Sequence, residues 1–183
     1  VYPTLKSMDY LPFPHNLPWP SIAIVVACYN EEEYIDQCIK HLLELEYPNF
    51  EIIAVDNSST DNTFNILNKY PIKVVKSEKG LCKARNTGLK SSEADIIAFI
   101  DADAFPDTTW LRYIALRFLT TEKVAIGGPL LPPKNISNKR RLIGFAPGNP
   151  QAVRKDLSES EHLAGCNLAV YRKNLEAIGG FDI

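Results

Sequence analysis

Short, unbroken apolar runs alternate along this chain with longer amphipathic segments. IAIVVA at 22–27 is rich in β-branched residues and predicts a buried strand. Behind it Ile35, Ile39, Leu42 and Leu43 recur at helical spacing, with Asn30 placed as a helix cap and Glu33 in capping-box position. EIIAVD (51–56) predicts a second strand. Asp61 and Thr63 then open a helix that carries Phe64, Leu67 and Tyr70. IKVVK (72–76) predicts a third strand, 81–90 a helix of small and basic residues, and DIIAFID (95–101) a fourth strand. A helix over 107–119, with Trp110, Ile114 and Phe118 on one side, leads to a fifth strand at 124–128. The rhythm breaks after Pro129, and NLAVY (167–171) reads as one more strand.

Alternating strands and helices, with strands apolar throughout, imply a mostly parallel sheet covered on both faces. The predicted class is therefore α/β, a doubly wound, Rossmann-like architecture. Its organisation reads as a proline-rich arm over 1–20 and a domain over 21–183. That domain divides into a first half of alternating strands and helices (21–128) and the start of a second half (129–183). The arm holds Pro3, Pro12, Pro14, Pro18 and Pro20, which disfavour a helix, and its apolar Tyr10, Leu11, Phe13 and Trp19 are expected to pack on the domain.

Composition narrows the class without naming a chemistry. An apolar fraction of 45% and a charged fraction of 23% are ordinary for a globular domain. A net charge of −2 gives no general attraction to nucleic acid. No apolar run approaches the roughly 18 residues that span a bilayer. The four cysteines are scattered with no CxxC pair, which argues against a zinc site and for reduced thiols in a cytoplasmic setting. The chain starts at Val1 rather than Met and stops at Phe181-Asp182-Ile183, so both ends are expected to be cut from a longer protein.

The chemistry collects where the strands end. In a parallel sheet, ligands bind beyond the carboxyl ends of the strands. Strand one runs out into Ala27-Cys28-Tyr29-Asn30-Glu31-Glu32, strand two into Asp56-Asn57-Ser58-Ser59, and strand four into Asp101-Ala102-Asp103. Two carboxylates one residue apart raise each other's pKa unless a cation relieves the repulsion, and oxygen ligands suit Mg²⁺ or Mn²⁺. Each residue also has a plain structural reading. DNSSTD is turn and cap chemistry, Glu31 and Glu32 suit a helix N-terminus, Tyr29 could fill a core, and Lys83 and Arg85 could face solvent.

Taken in order, these segments resemble glycosyltransferase family 2, a group with the GT-A fold, over about residues 21–183. IAIVVACYNEEEYI resembles the family's opening strand and PxYNE-type turn, with Ala27 in place of the usual proline. EIIAVDNSSTDNT resembles its VDDGSTDGT segment, with Asn57 for the second Asp. GLCKARNTGLKSSEADIIAFIDADAFPDTTWL resembles the stretch from the ARNxG helix through the DxD loop. GCNLAVYRKNLEAIGGFD resembles the acceptor-side GxNxxxRR…GGFDE segment.

The resemblance implies an inverting sugar transfer of hexosyltransferase type, from a UDP-, GDP- or dTDP-sugar, with a divalent cation, Mn²⁺ or Mg²⁺. It implies that Ala27 and Tyr29 flank the base, that Asp56 accepts from the base imide N–H, and that Glu31 approaches the nucleotide. Arg85 would lie near the diphosphate, Asp101 at the ribose or a metal-bound water, and Asp103 on the metal. The base that deprotonates the acceptor comes, in this family, from an ED-type motif after GGFDE. It is therefore expected beyond Ile183, with Asp182 the substitute inside the chain. Acceptors in the family are often lipid-linked glycans or polysaccharides. The basic cluster KNISNKRR (134–141) could then meet phosphates at the cytoplasmic face of a membrane as a peripheral contact. Two alternatives remain at this stage. One is a haloacid-dehalogenase-like phosphatase, whose DxD normally follows the first strand rather than the fourth. The other is a non-catalytic GT-A-like binding domain.

Overall fold

A computed structural model of the chain describes residues 18–128 and 163–183. The strands are β1 (Ile22–Cys28), β2 (Phe50–Asp56), β3 (Lys73–Lys76), β4 (Ile96–Asp101), β5 (Ala125–Gly127) and β6 (Leu168–Tyr171). The helices are α1 (Ile35–Leu43), α2 (Thr63–Leu67), α3 (Leu81–Lys90), α4 (Trp110–Thr120) and α5 (Arg172–Ala177). The strands form one sheet in the order β3-β2-β1-β4-β6-β5. β1 pairs in parallel with β2 and β4, and β2 with β3, whereas β6 runs antiparallel to both β4 and β5. The mostly parallel α/β sheet expected from the apolar runs is therefore present.

Strand alternation explains why helices cover both faces. From β1, Ile22, Ile24, Val26 and Cys28 point to a cluster completed by Ile39 and Leu42 of α1, Leu67 of α2, and Leu111 and Phe118 of α4. Ala23 and Val25 point the other way, to Ala84 and Leu89 of α3, Phe99 of β4 and Leu175 of α5. Every apolar residue of β1 thus has a partner, and a run with no polar break is what that requires.

The start of α1 and the end of α2 differ from the sequence reading. α1 begins at Ile35, not near Asn30, and Asn30 sits in the left-handed region at φ +56°. Its side chain turns away to accept from Thr60 N–H at 2.8 Å, so it latches a neighbouring turn instead of capping α1. α2 stops at Leu67, and Tyr70 lies beyond it, donating its hydroxyl to Asp36 Oδ1 at 2.6 Å. Of the expected arm contacts, Trp19 meets Tyr47 edge-on at 5.6 Å. Residues 1–17 of the arm and the 134–141 cluster lie outside the described residues.

α3 is packed unusually close to the sheet. A Cβ added at Gly88 would come within 2.3 Å of Val25 Cγ1 and 2.8 Å of Cγ2, and Val25 is fully enclosed. Gly88→Ala is therefore expected to destabilise the fold by about 1–2 kcal/mol, because overpacking outweighs the ~1 kcal/mol of helix propensity that alanine regains. A lower urea midpoint with an unchanged slope is the result to look for.

Candidate active site

Register brings three strand ends to one edge. Cys28 lies opposite Asp56 on β2, and Ala27 lies opposite Asp101 on β4. With neighbouring strands about 4.8 Å apart, Asp56 and Asp101 flank the end of β1 from either side. Ala102 is buried, so Asp101 and Asp103 on either side of it turn out to the rim, where Asp103 is exposed. This is how an apolar strand ends on two carboxylates: the alanine between them stays in the core.

The turns after β1 and β2 interlock. Asn30 N–H donates to Ser59 Oγ at 3.1 Å, and Glu31 N–H donates to Thr63 Oγ1 at 2.8 Å. Glu32 N–H donates to Asp61 Oδ2, and Asn62 N–H returns to Glu32 Oε2 at 2.9 Å. Thr63 is fully buried, so its hydroxyl is a fixed anchor for the Glu31 backbone. Tyr29, the residue between β1 and this latch, is exposed rather than a core aromatic. Lys79 Nζ lies 4.3 Å from its ring centroid and donates to its hydroxyl at 2.7 Å.

Asp56 and Asn57 are both buried at the end of β2. Asp56 Oδ1 accepts from Ser59 N–H at 3.3 Å. Asn57 N–H donates to Cys28 O at 2.8 Å, and its Oδ1 accepts from Gly80 N–H at 2.9 Å. Asn57 thus fastens β1 to the loop that enters α3, a role the sequence reading did not see. Gly80 has φ +139°, a backbone angle open mainly to glycine.

Arg85 is not a solvated helix residue. Its side chain is 14% exposed, and Nη2 lies 3.7 Å from Asp101 Oδ1. Lys83, by contrast, pairs with Glu78 at 2.7 Å. Asp182 is exposed, and among the described residues it takes no part in the hydrogen bonds and ion pairs of the rim.

The rim has more negative than positive charge. Burial pushes the Asp101 carboxyl above its usual range, Arg85 opposes this, and Asp103 adds to it. Glu31 is raised by desolvation first, then by Asp103, Asp101 and Asp61. Burial also pushes the Cys38 thiol up to about 12, and the Cys28 and Cys166 thiols upward, so all three are uncharged at neutral pH. Among the described residues no group of three or more His, Cys, Asp or Glu side chains is arranged to hold a metal ion. The donor set is instead the Asp101–Asp103 pair with Glu31 nearby. Oxygen ligands, too few for a protein cage and short of positive charge, fit a hard cation whose remaining ligands come from a bound phosphate group and water.

Crowded carboxylates give a pH signature. A raised folded-state pKa means that ionised Glu31 opposes folding above that pKa and that protonation removes the cost. Without added metal, Glu31→Gln is expected to be slightly more stable than the parent at pH 7, by less than about 1 kcal/mol for a partly exposed group. The gap should close as pH falls into the carboxylate range. Urea melts of both proteins across that range would check it, and a gap that widened in acid would contradict the assignment.

Comparison with known proteins agrees with this geometry. Residues 23–179 match the model of Glycosyl transferase family 2. Probable glycosyltransferase YdaM of Bacillus subtilis is 27% identical over 202 residues, covering 94% of this chain and 47% of that protein. WfaP of Escherichia coli, a UDP-Glc:alpha-D-GlcNAc-diphosphoundecaprenol beta-1,3-glucosyltransferase, is 38% identical over 108 residues, covering 56% of this chain and 43% of its own. The chain thus spans about half the length of the curated relatives it matches. Among solved structures, mannosyltransferase PcManGT from Pyrobaculum calidifontis, in complex with GDP-Man and Mn²⁺, superposes with a TM-score of 0.66 at 24% identity, covering 89% of this chain and 48% of that one. A transferase family replaces the phosphatase reading of the DxD, and the chain belongs to glycosyltransferase family 2, with the GT-A fold.

Proposed function

We propose that this chain forms the donor site of an inverting, metal-dependent sugar transferase and binds a nucleoside diphosphate sugar across the rim of β1, β2 and β4. The observation that carries the reading is the shared register, which sets Asp56, the Tyr29 turn and Asp101 along one edge of the sheet. Ala27 and the exposed Tyr29 ring would flank the base. Asp56, a buried carboxylate, accepts only, so it suits the imide N–H of a uracil, thymine or guanine ring. Glu31, fixed through its backbone to Thr63, would approach the nucleotide from the other side of the latch. Arg85 and Asp101 would stand at the ribose and diphosphate.

Asp103 and Asp101 would hold the divalent cation, Mn²⁺ or Mg²⁺, which supplies positive charge against the leaving diphosphate. With Asp101 and Asp103 committed to the cation, Asp56 to the base and Glu31 to the nucleotide, none of these carboxylates is left for the acceptor hydroxyl. We therefore assign the general base to a residue outside the rim and not to Asp182. The activity in the name of WfaP, a glucosyltransferase acting on a diphosphoundecaprenol-linked sugar, supports a lipid-linked acceptor for this chain as well, with a polysaccharide as the other class. Such an acceptor would bring the full-length protein to a membrane face by peripheral contact.

Thermal shift with UDP, GDP and dTDP, each with and without Mn²⁺, tests the reading. At least one is expected to raise the melting temperature in a Mn²⁺-dependent way, by the mass-action amount of a ligand that binds only the folded state. No shift with any of the three would refute it. Asp103→Ala should retain the fold and lose the Mn²⁺ dependence, and a variant still responding to Mn²⁺ would move the metal to other ligands.

A further inference from the structure

Beyond the rim, the segment that ends the described chain reaches back into it. Asn86, buried on α3 one residue after Arg85, makes a two-point bond to the Phe181 backbone 95 residues away. Its Nδ2 donates to Phe181 O at 2.8 Å, and Phe181 N–H donates to its Oδ1 at 2.8 Å. Gly180, at φ +87°, admits this approach, because a Cβ there would lie 2.5 Å from Asn86 Oδ1. The bond places the Phe181 ring edge-on to Phe99 at 5.2 Å and 5.5 Å from the Arg85 guanidinium carbon, with Phe99 at 5.9 Å. The guanidinium also lies directly against the Gly165 backbone, where a Cβ would come within 2.5 Å of Nη2.

We propose that Asn86 and Phe181 are positioning residues for Arg85, so that the Gly-Gly-Phe segment, and not α3 alone, sets the cation of the donor site. This rests on the nucleotide-sugar reading. An arginine has several rotatable bonds and loses them only when its stem and faces are enclosed. Two aromatic rings and a glycine backbone enclose it, which aims its donors toward Asp101 at the rim. The Asn86 clamp orders the ring that does the enclosing. Neither residue is required to touch the donor.

The prediction separates positioning from folding. The dissociation constants of UDP and GDP, each with the diamagnetic Mg²⁺, and of uridine and guanosine are measured by chemical-shift titration of the whole chain. The variants are Phe181→Leu, Phe181→Tyr and Asn86→Ala. Phe181→Leu keeps the apolar volume and the backbone clamp but loses the ring face. It is expected to weaken the nucleoside diphosphate by about three- to tenfold, the scale of one misplaced charge-assisted contact, and to leave the nucleoside unchanged. Phe181→Tyr should restore the parent value. Asn86→Ala should follow Phe181→Leu, and if it does not fold the two Phe181 variants decide alone. Equal weakening of nucleoside and diphosphate, or no change in either, would overturn the positioning role. Failure of the unsubstituted chain to bind any nucleoside diphosphate would overturn the nucleotide-sugar reading, and this inference with it.

Discussion

Parallel pairing of β1 with β2 on one side and β4 on the other is the constraint on which the rest depends. In-register strands end at one level, so whatever side chains close them must share a small volume. Here they are carboxylates, and carboxylates that share a volume repel. Burial comes first in raising the Asp101 and Glu31 pKa values, and repulsion from the neighbouring carboxylates adds to it. The core tolerates it because Ala102 keeps the strand end buried while its acidic neighbours face outward. Folding has thus assembled acidic groups that the nearby Arg85 offsets only at Asp101.

Holding such a rim open requires restraint from the turns beside it. The turns after β1 and β2 restrain each other through side chain to backbone bonds, from Asn30 to Thr60 and between Glu32 and Asn62. Asn57 adds a third link to the same web, its backbone N–H donating to Cys28 O and its side-chain Oδ1 accepting from Gly80 N–H. These are short polar residues in left-handed or irregular backbone, where a side chain bond replaces the ladder bonds that the ended strands no longer offer. α3 uses the opposite device. It brings small residues against β1, so that its own backbone rather than long side chains sets the distance from Arg85 to the sheet.

Most of the scaffold was legible from periodicity. The bounds of α3 are the ones read from the chain, and each expected strand is present within a few residues. The same holds for the rim, because Asp56, Asp101 and Asp103 close apolar runs and parallel strands leave them one edge to share. The misread residues are amides. Asn30 looked like a helix cap and Asn57 like a plain substitution for aspartate. Both turned out to bridge segments far apart in sequence, and Asn86, passed over within its motif, bridges 95 residues. An amide donates and accepts with equal ease, so its type says nothing about which neighbour will engage it.

What the sequence determined by itself was the order of strands and helices, the strand ends that carry carboxylates, and the family whose motifs they match. Those follow from local rules, the two periodicities and the turn residues that interrupt them. What only the tertiary structure decided was which of these groups touch. Arg85 changed from a candidate surface cation to an enclosed one because Phe99, Gly165 and Phe181 converge on it from three separate segments. Tyr29 moved from candidate core to exposed ring because the latch beneath it turns the chain outward. Contacts between residues distant along the chain depend on the packing of the whole sheet, and no local pattern encodes them.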